Sequence, residues 1–345
     1  MTVRVGVIGV GMIGRDHVHR LTSIIAGSEV VAVTDIDSAR AREVADGLAG
    51  VRVHATGKDL ITDDDVDGVL VASWGQAHEE FVLACIEAGK PVFCEKPLAT
   101  TKTACLRILD AEVSFGRRLV QVGFMRRYDA AYRALKEVVA SGSIGTPLLM
   151  HGAHRNADVP PHYTGDMAIT DTAVHEFDIV RWLFEEEIVA VTVLRPRRSR
   201  HGGSLQDPLF LLLETESGVL VDIETSVNIR YGYVVRGEVV AEDGTASLGE
   251  GGPVVVRRNG SVHRRVPTGW RERFLRAYDA ELAGWVSSVS TDSMTGPSTW
   301  DGYAAAVVSA AALEALHTGA RVAIRVRDIP DLYVKSSHST IEPAH

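Results

Sequence analysis

Gly9-Val10-Gly11-Met12-Ile13-Gly14 follows directly on the apolar run Val5-Gly6-Val7-Ile8, and Asp35 stands 21 residues beyond Gly14. The spacing predicts a strand, a glycine turn and a helix in immediate succession. Gly9 allows the tight turn off the strand. Gly11 lets a pyrophosphate approach the backbone, and Gly14 lets the helix pack close against the strand. Free N–H groups at the positive end of that helix suit the pyrophosphate. Glycines alone would also serve a plain β–α turn. The strand before them, the helix after them and the acidic residue beyond them point to a dinucleotide site, with Gly9, Gly11, Met12, Ile13 and Gly14 as its cofactor-binding turn.

Asp35 narrows the dinucleotide. Val30–Thr34 reads as a second buried strand with Asp35 at its carboxyl end. There a carboxylate can accept hydrogen bonds from the adenosine ribose hydroxyls and would repel a 2′-phosphate. Ile36, Asp37 and Ser38 follow, with no arginine beside Asp35; Arg40 falls too far along the next helix to receive that phosphate. NAD is therefore expected rather than NADP.

At 345 residues the chain exceeds the size at which one core stays efficient, so two domains are expected. Apolar residues make up 46% of it, which argues against disorder. No apolar run approaches the roughly 20 residues of a membrane span. The N-terminus begins with a strand instead of a charged segment and a hydrophobic signal core, so a cytoplasmic location is expected. The three cysteines, Cys85, Cys94 and Cys105, have no metal-ligand spacing and read as buried reduced thiols. A net charge of −9 argues against nucleic acid as a partner. The basic run Arg195 to Arg200 reads as a solvated loop, and Asp63-Asp64-Asp65 as a loop or helix end without chemistry.

Up to about residue 122, short apolar runs at 3–8, 29–34, 51–54, 68–72, 91–94 and 119–123 alternate with amphipathic stretches at about 12–26, 38–48, 77–89 and 101–116. This predicts an N-terminal Rossmann domain over 1–122, a parallel sheet covered on both faces. Gly89-Lys90-Pro91 should stop one of its helices. After Gly123 the rhythm changes. A helix near 129–141, a strand near 147–153 and a helix opening at Thr170 precede long strand patterns at 186–195, 207–216, 218–229 and 233–242, with hairpin signals at Ser217-Gly218 and Asp243-Gly244. Helices near 270–290 and 300–318 follow. Residues 123–335 should form an α/β domain with a large, mostly antiparallel open sheet, one face covered by helices; the tail from Ser336 reads as mobile.

Two constellations could carry chemistry at the carboxyl edge of the parallel sheet, where ligands of such folds bind. Val92-Phe93-Cys94-Glu95-Lys96-Pro97 brings Lys96 out at that edge, and the Lys96–Pro97 bond is of the kind that can be cis. Thr170 suits an N-cap, and Asp171 and His175 are four apart on one helix face, so they can touch. A carboxylate beside an imidazole fixes its tautomer and raises its basicity, as removal of a hydroxyl proton needs. An exposed ion pair is the plainer reading of the same spacing. Zinc is not expected, because no H-E-x-x-H and no nearby cysteine occur. Phe124-Met125-Arg126-Arg127-Tyr128 and His151–Asn156 are donor-rich and suit a polyhydroxylated ligand.

Together these segments resemble the glucose–fructose oxidoreductase, inositol dehydrogenase and MocA-type family, and within it the bacterial NAD-dependent inositol 2-dehydrogenases. Ala72-Ser73-Trp74-Gly75-Gln76-Ala77-His78-Glu79, Val92–Thr101, Leu119–Asp129, Ala153-His154-Arg155-Asn156, Tyr231-Gly232-Tyr233 and Gly296-Pro297-x-x-Trp300-Asp301-Gly302-Tyr303 carry the resemblance up to about residue 330. It implies that Lys96, Asp171 and His175 are catalytic. His175 would be the base, oriented by Asp171, and Lys96 would bond the reacting hydroxyl. It implies that Arg126, His154, Asn156 and Tyr233 line the polyol pocket together with the catalytic three. It also implies that Ser73, Trp74, His78, Glu95 and Lys96 flank the cofactor, and that the chain is a homotetramer associated through its open sheet. Oxidation of the C2 hydroxyl of myo-inositol by NAD is the expected reaction; scyllo-inositol, D-chiro-inositol or glucose is the nearer alternative substrate, and a non-catalytic dinucleotide-sensing regulator the remote one. Asn156–Tyr163 departs most from the family pattern, which bears on substrate preference.

Overall fold

The structure, a computed structural model, describes residues 2–249, 255–258 and 261–334. β1 (Val3–Ile8), β2 (Ser28–Thr34), β3 (Arg52–Val53), β4 (Gly68–Val71), β5 (Val92–Glu95) and β6 (Val120–Gly123) form a parallel sheet in the order β3-β2-β1-β4-β5-β6. Every residue of β4, β5 and β6 is buried, as a sheet covered on both faces requires. The chain winds outward from β1 in one direction and from β4 in the other. The loops after these two strands therefore open at one switch point on the carboxyl edge.

The connecting helices are α1 (Met12–Ser23), α2 (Ser38–Asp46), α3 (Gly57–Ile61), α4 (Gly75–Glu87) and α5 (Lys102–Phe115). Four match the amphipathic stretches of the sequence. α3 spans too few residues to show a period, and the hydroxyl of its N-cap Thr56 accepts from Asp59 N–H. Gly89 takes the expected left-handed conformation just past α4, at φ +67°. Cys85, Cys94 and Cys105 are buried and free, and burial pushes each thiol upward from its ordinary range.

Beyond α6 (Ala130–Ala140), the second sheet comprises β7 (Pro147–Arg155), β8 (Ile188–Leu194), β9 (Leu209–Thr215), β10 (Leu220–Ser226), β11 (Val234–Ala241), β12 (Thr245–Ser247) and β15 (Val322–Ala323), in the order β12-β11-β7-β10-β9-β8-β15. β7 and β10 run parallel and every other neighbour pair antiparallel. A separate hairpin joins β13 (Val255–Arg258) and β14 (Ser261–Arg264). Register sets the two faces of the large sheet. Leu149 lies opposite Leu220 and Val240 on the open face, whereas Met150, paired with Val221 and Val239, is buried with them. The helices α7 (Val174–Phe184) and α9 (Thr299–Thr318) pack against β8.

The C-terminal helices also return to the first sheet. Leu282, Trp285, Val286 and Val289 of α8 (Trp270–Ser290) enter the core formed by Val3, Val5, Val7 and Val33. Glu112 of α5, fully buried, accepts from Leu119 N–H at 2.6 Å and Val120 N–H at 2.7 Å, and from the hydroxyls of Thr299 and Tyr333 at 2.5 Å each. Four donors satisfy this carboxylate without a cation, and they tie the end of the described chain to the nucleotide half. The Arg195–Arg200 run is a largely exposed loop, as read from the sequence, and the tail from Ser336 lies outside the described residues.

Candidate active site

The glycine turn has the geometry that its spacing predicts. Gly9 sits at φ +89°, where a Cβ would meet the Ser73 backbone at 2.6 Å. A Cβ on Gly14 would lie 2.0 Å from the Gly9 carbonyl oxygen, so helix and strand approach here only without one. At Gly11 a Cβ would meet nothing within 4 Å: the turn is open on its outer side. α1 begins with Gly11 as N-cap and no side-chain cap, which leaves its first N–H groups for an anion. Met12 and Trp74 are exposed at the same edge.

Asp35 is held by the chain itself. Its Oδ2 accepts from Val10 N–H at 2.8 Å and its Oδ1 from Asp37 N–H at 2.9 Å. Arg40, expected to lie out of reach, approaches Oδ1 at 3.3 Å. A long side chain one turn into α2 folds back over the strand end. These residues fit a dinucleotide: an open pyrophosphate turn, a helix N-terminus and an anchored carboxylate at the ribose position.

Two expected cofactor contacts are turned inward instead. His78 is buried with Nδ1 2.7 Å from Pro97 O and Nε2 3.0 Å from Ser73 O. Both ring nitrogens face protein carbonyls between the loops after β4 and β5; the neutral ring donates to one of them, and neither nitrogen is turned to a ligand. Glu95 places Oε1 2.7 Å from His17 Nε2 and Oε2 3.2 Å from Lys96 N–H. It supports the lysine loop from below. Ser73 Oγ, by contrast, is buried without a partner. The Lys96–Pro97 peptide is cis.

Lys96 leaves that loop and reaches the second half of the molecule. Its Nζ lies 2.5 Å from Asp171 Oδ1 and 3.2 Å from Asp171 O. The Lys96 ammonium is the main cause holding the Asp171 carboxyl below its usual range. Asp171 thus pairs with Lys96, and no Asp171–His175 bond forms. The reason is local. Ala168–Ala173 is a π-helical turn, wider than an α-turn, followed by α7. Thr170 is inside this turn rather than at its start, and its hydroxyl donates to Asp166 O at 3.2 Å instead of capping. The α-helical spacing rule therefore fails at this pair.

His175 is buried and its Nδ1 has no partner. Burial, then the charges of Lys96 and Arg126 and the neighbouring His154, hold its pKa well below the ordinary value. The expectation of raised basicity is overturned: without the carboxylate at its side, desolvation decides. The imidazole is neutral at neutral pH and can take a proton.

Arg126, His154 and Tyr233 come together, as the resemblance implied, around a residue the sequence reading passed over. Glu176 Oε1 accepts from Arg126 Nη1, Arg126 Nη2 lies 3.0 Å from His154 Nδ1, and Tyr233 OH lies 3.1 Å from His154 Nε2. His154 and His175 rings are 6.3 Å apart. Arg126 Nε is buried without a partner. The signal for Glu176 was a charged residue on an otherwise apolar α7 face, beside His175 in sequence. Arg127 turns away, into an ion network with Asp178 (Nε–Oδ2, 2.9 Å) and Asp301 (2.8 Å). Asn156 follows β7 with its backbone bonded to Ser226 and Ile229. Tyr163, at the end of the segment that departs from the family pattern, bonds Thr172 Oγ1 at 2.6 Å and so anchors that segment on the π-turn. Among the described residues no cluster could hold a metal ion, and no helix is long and apolar enough to cross a membrane.

Residues 3–124 match the model of an oxidoreductase family with an NAD-binding Rossmann fold, GFO/IDH/MocA, and residues 132–247 match the model of that family's C-terminal domain. Inositol 2-dehydrogenase 3 of Saccharopolyspora erythraea is 55% identical over 334 residues, covering 96% of this chain and 98% of the relative. Inositol 2-dehydrogenase of Burkholderia multivorans is 49% identical over 335 residues, covering 96% and 99%. The crystal structure of myo-inositol dehydrogenase from Lactobacillus casei in complex with NAD(H) and myo-inositol superposes with a TM-score of 0.94 at 40% identity, covering 96% of this chain and all of that one.

Proposed function

The chain belongs to the GFO/IDH/MocA oxidoreductase family, and we propose that Lys96, Asp171 and His175 carry its reaction. It is an NAD-dependent inositol 2-dehydrogenase, acting on the C2 hydroxyl of myo-inositol to give the 2-ketone. NAD, when bound on Gly9–Gly14 and Asp35, supplies the hydride acceptor. The protein supplies the proton half and the alignment. Neutral His175 takes the hydroxyl proton. Lys96 donates a hydrogen bond to the same oxygen and favours the developing alkoxide. Asp171 orients Lys96 rather than His175. Arg126, His154, Asn156 and Tyr233 line the pocket that takes the remaining hydroxyls.

The observation that carries this reading is the Lys96–Asp171 contact, which brings the lysine of the nucleotide half against the π-turn that leads into α7 and His175. The test follows NAD reduction by absorbance with a panel of cyclitols and aldoses. Turnover with myo-inositol, at a higher kcat/KM than scyllo-inositol, D-chiro-inositol or glucose, is the expected result; no signal with any inositol overturns it.

The division falls near residue 122, with 1–122 as the cofactor unit and 123–335 as the substrate and assembly unit. The chain assembles as a homotetramer through the open sheet face. Exposed Leu149, Leu194 and Leu220 support this. Three buried, unpaired thiols support a reducing, cytoplasmic location.

A further inference from the structure

Glu176, Arg126, His154 and Tyr233 form one buried chain in which the direction of each hydrogen bond can be deduced. Arg126 carries donors only. Its Nη2 lies 3.0 Å from His154 Nδ1, the shorter of the two polar contacts to that nitrogen, which favours Nδ1 as an acceptor without a proton. Glu176 Oε2 stands farther, 3.3 Å from the same nitrogen, and the carboxylate holds Arg126 through Oε1, so in this assignment it acts on His154 through Arg126. A neutral imidazole without a proton at Nδ1 has its proton at Nε2. Nε2 lies 3.1 Å from the Tyr233 oxygen, so the imidazole donates and the phenol accepts. The phenol's own proton is then free to point elsewhere.

The protonation states agree with this chain. Burial, aided by the charge of Arg126, outweighs the opposing Glu176 carboxylate and holds His154 below its ordinary pKa, so the ring is neutral. Burial pushes the Tyr233 phenol up to about 12, so it keeps the proton it would donate. Each of the four side chains is at least nine-tenths buried, so water does not compete for these bonds.

We propose that Glu176 is a positioning residue: by fixing Arg126 it locks His154 as the Nε2–H tautomer and makes Tyr233 an obligate hydrogen-bond donor to the polyol. The part concerning the polyol rests on the reading of the site as an inositol pocket; the tautomer does not. Glu176 touches no reacting atom in this account. It acts at two removes, and its effect falls on substrate binding more than on the chemical step.

The decisive measurement is nitrogen-15 NMR of the full-length protein labelled at histidine, without substrate, with the His154 ring assigned by comparison with His154→Gln. An unprotonated Nδ1 and protonated Nε2 are expected. A proton on Nδ1, or on both nitrogens at neutral pH, overturns the proposal whether or not inositol proves to be the substrate. Steady-state kinetics gives the second arm. Glu176→Ala should raise KM for the polyol about tenfold, as loss of a charged hydrogen-bond partner would. KM for NAD should move less than about twofold. Glu176→Gln can still accept from Arg126 and donate to Nδ1, so it should restore KM to within a few-fold of the parent. Equal losses in both KM values and in kcat, without rescue by Gln, would mark a merely structural role and sink the idea. Should Glu176→Ala not fold, the tautomer and the Gln variant still decide.

Discussion

The two ends of the site are built from different materials. At the dinucleotide end the backbone does the recognition: a positive-φ Gly9, a Gly14 that excludes any side chain, an open Gly11, and two N–H groups that fix Asp35. At the end we propose for the polyol, side chains do it, and none stands alone. Arg126 needs Glu176, His154 needs Arg126, and Tyr233 needs His154. A pyrophosphate is the same in every turnover and can be met by a rigid loop. A cyclitol differs from its isomers in the direction of single hydroxyls. Donors must then be aimed, and an aimed side chain in a buried site needs a partner of its own.

Substitutions should separate the two ends and the chemistry between them. The largest effect belongs to the residues that join them. His175→Ala and Lys96→Ala should each lower kcat/KM about a thousandfold while NAD affinity, read by fluorescence titration, stays within a few-fold. Near-parental turnover by His175→Ala at neutral pH would remove it as the base. The glycine end comes next. Gly14→Ala sets a Cβ against the Gly9 carbonyl and should cost about 3 kcal/mol of stability. Gly11→Ala meets no protein atom, so its Tm should match the parent while NAD binding weakens. Equal destabilisation by the two would contradict the division of labour.

A pH titration probes the buried histidines of both ends. His78, His154 and His175 are all held below the ordinary value of 6.5, chiefly by burial. A group whose folded pKa is depressed takes its proton more readily in the unfolded chain. Stability from these three is complete above about pH 6.5 and is lost progressively as the pH falls below it. Tm should therefore drop on the acid side, and the acid limb of kcat/KM should lie below the usual histidine range. A limb above it would contradict the desolvated His175. The smallest effect concerns the anchored segment. Tyr163→Phe loses the bond to Thr172 and should cost about 1 kcal/mol, with a shift of about twofold in polyol KM measured by steady-state kinetics.

The same contrast explains what the sequence reveals. Strands, long helices and the glycine turn announce themselves because their determinants lie within a few residues of one another. Asp35 is legible for the same reason: its place at a strand end is set by local order. Glu176 and Arg126 are 50 residues apart, and Tyr233 and His154 are 79 apart. No local pattern records such partners. The pairing of Asp171 with His175 failed because a π-turn breaks the α-helical period on which it was based. His78 and Glu95 lie in segments shared with the family, yet their partners are carbonyls and a histidine of the fold, which a motif does not display.

Trp285 has one more consequence. With Leu282, Val286 and Val289 it completes the core beside β1, against Phe93 of β5 and close to Gly68 of β4, from a helix near the other end of the chain. During synthesis the first 123 residues therefore emerge with part of one sheet face left uncovered by α1 and α2, and that part stays uncovered until more than 150 further residues have been made. The nucleotide half, first to leave the ribosome, is among the last parts to be finished, and a chain broken off before α8 should be handled by the cell as an unfinished protein, not as a free-standing NAD-binding domain.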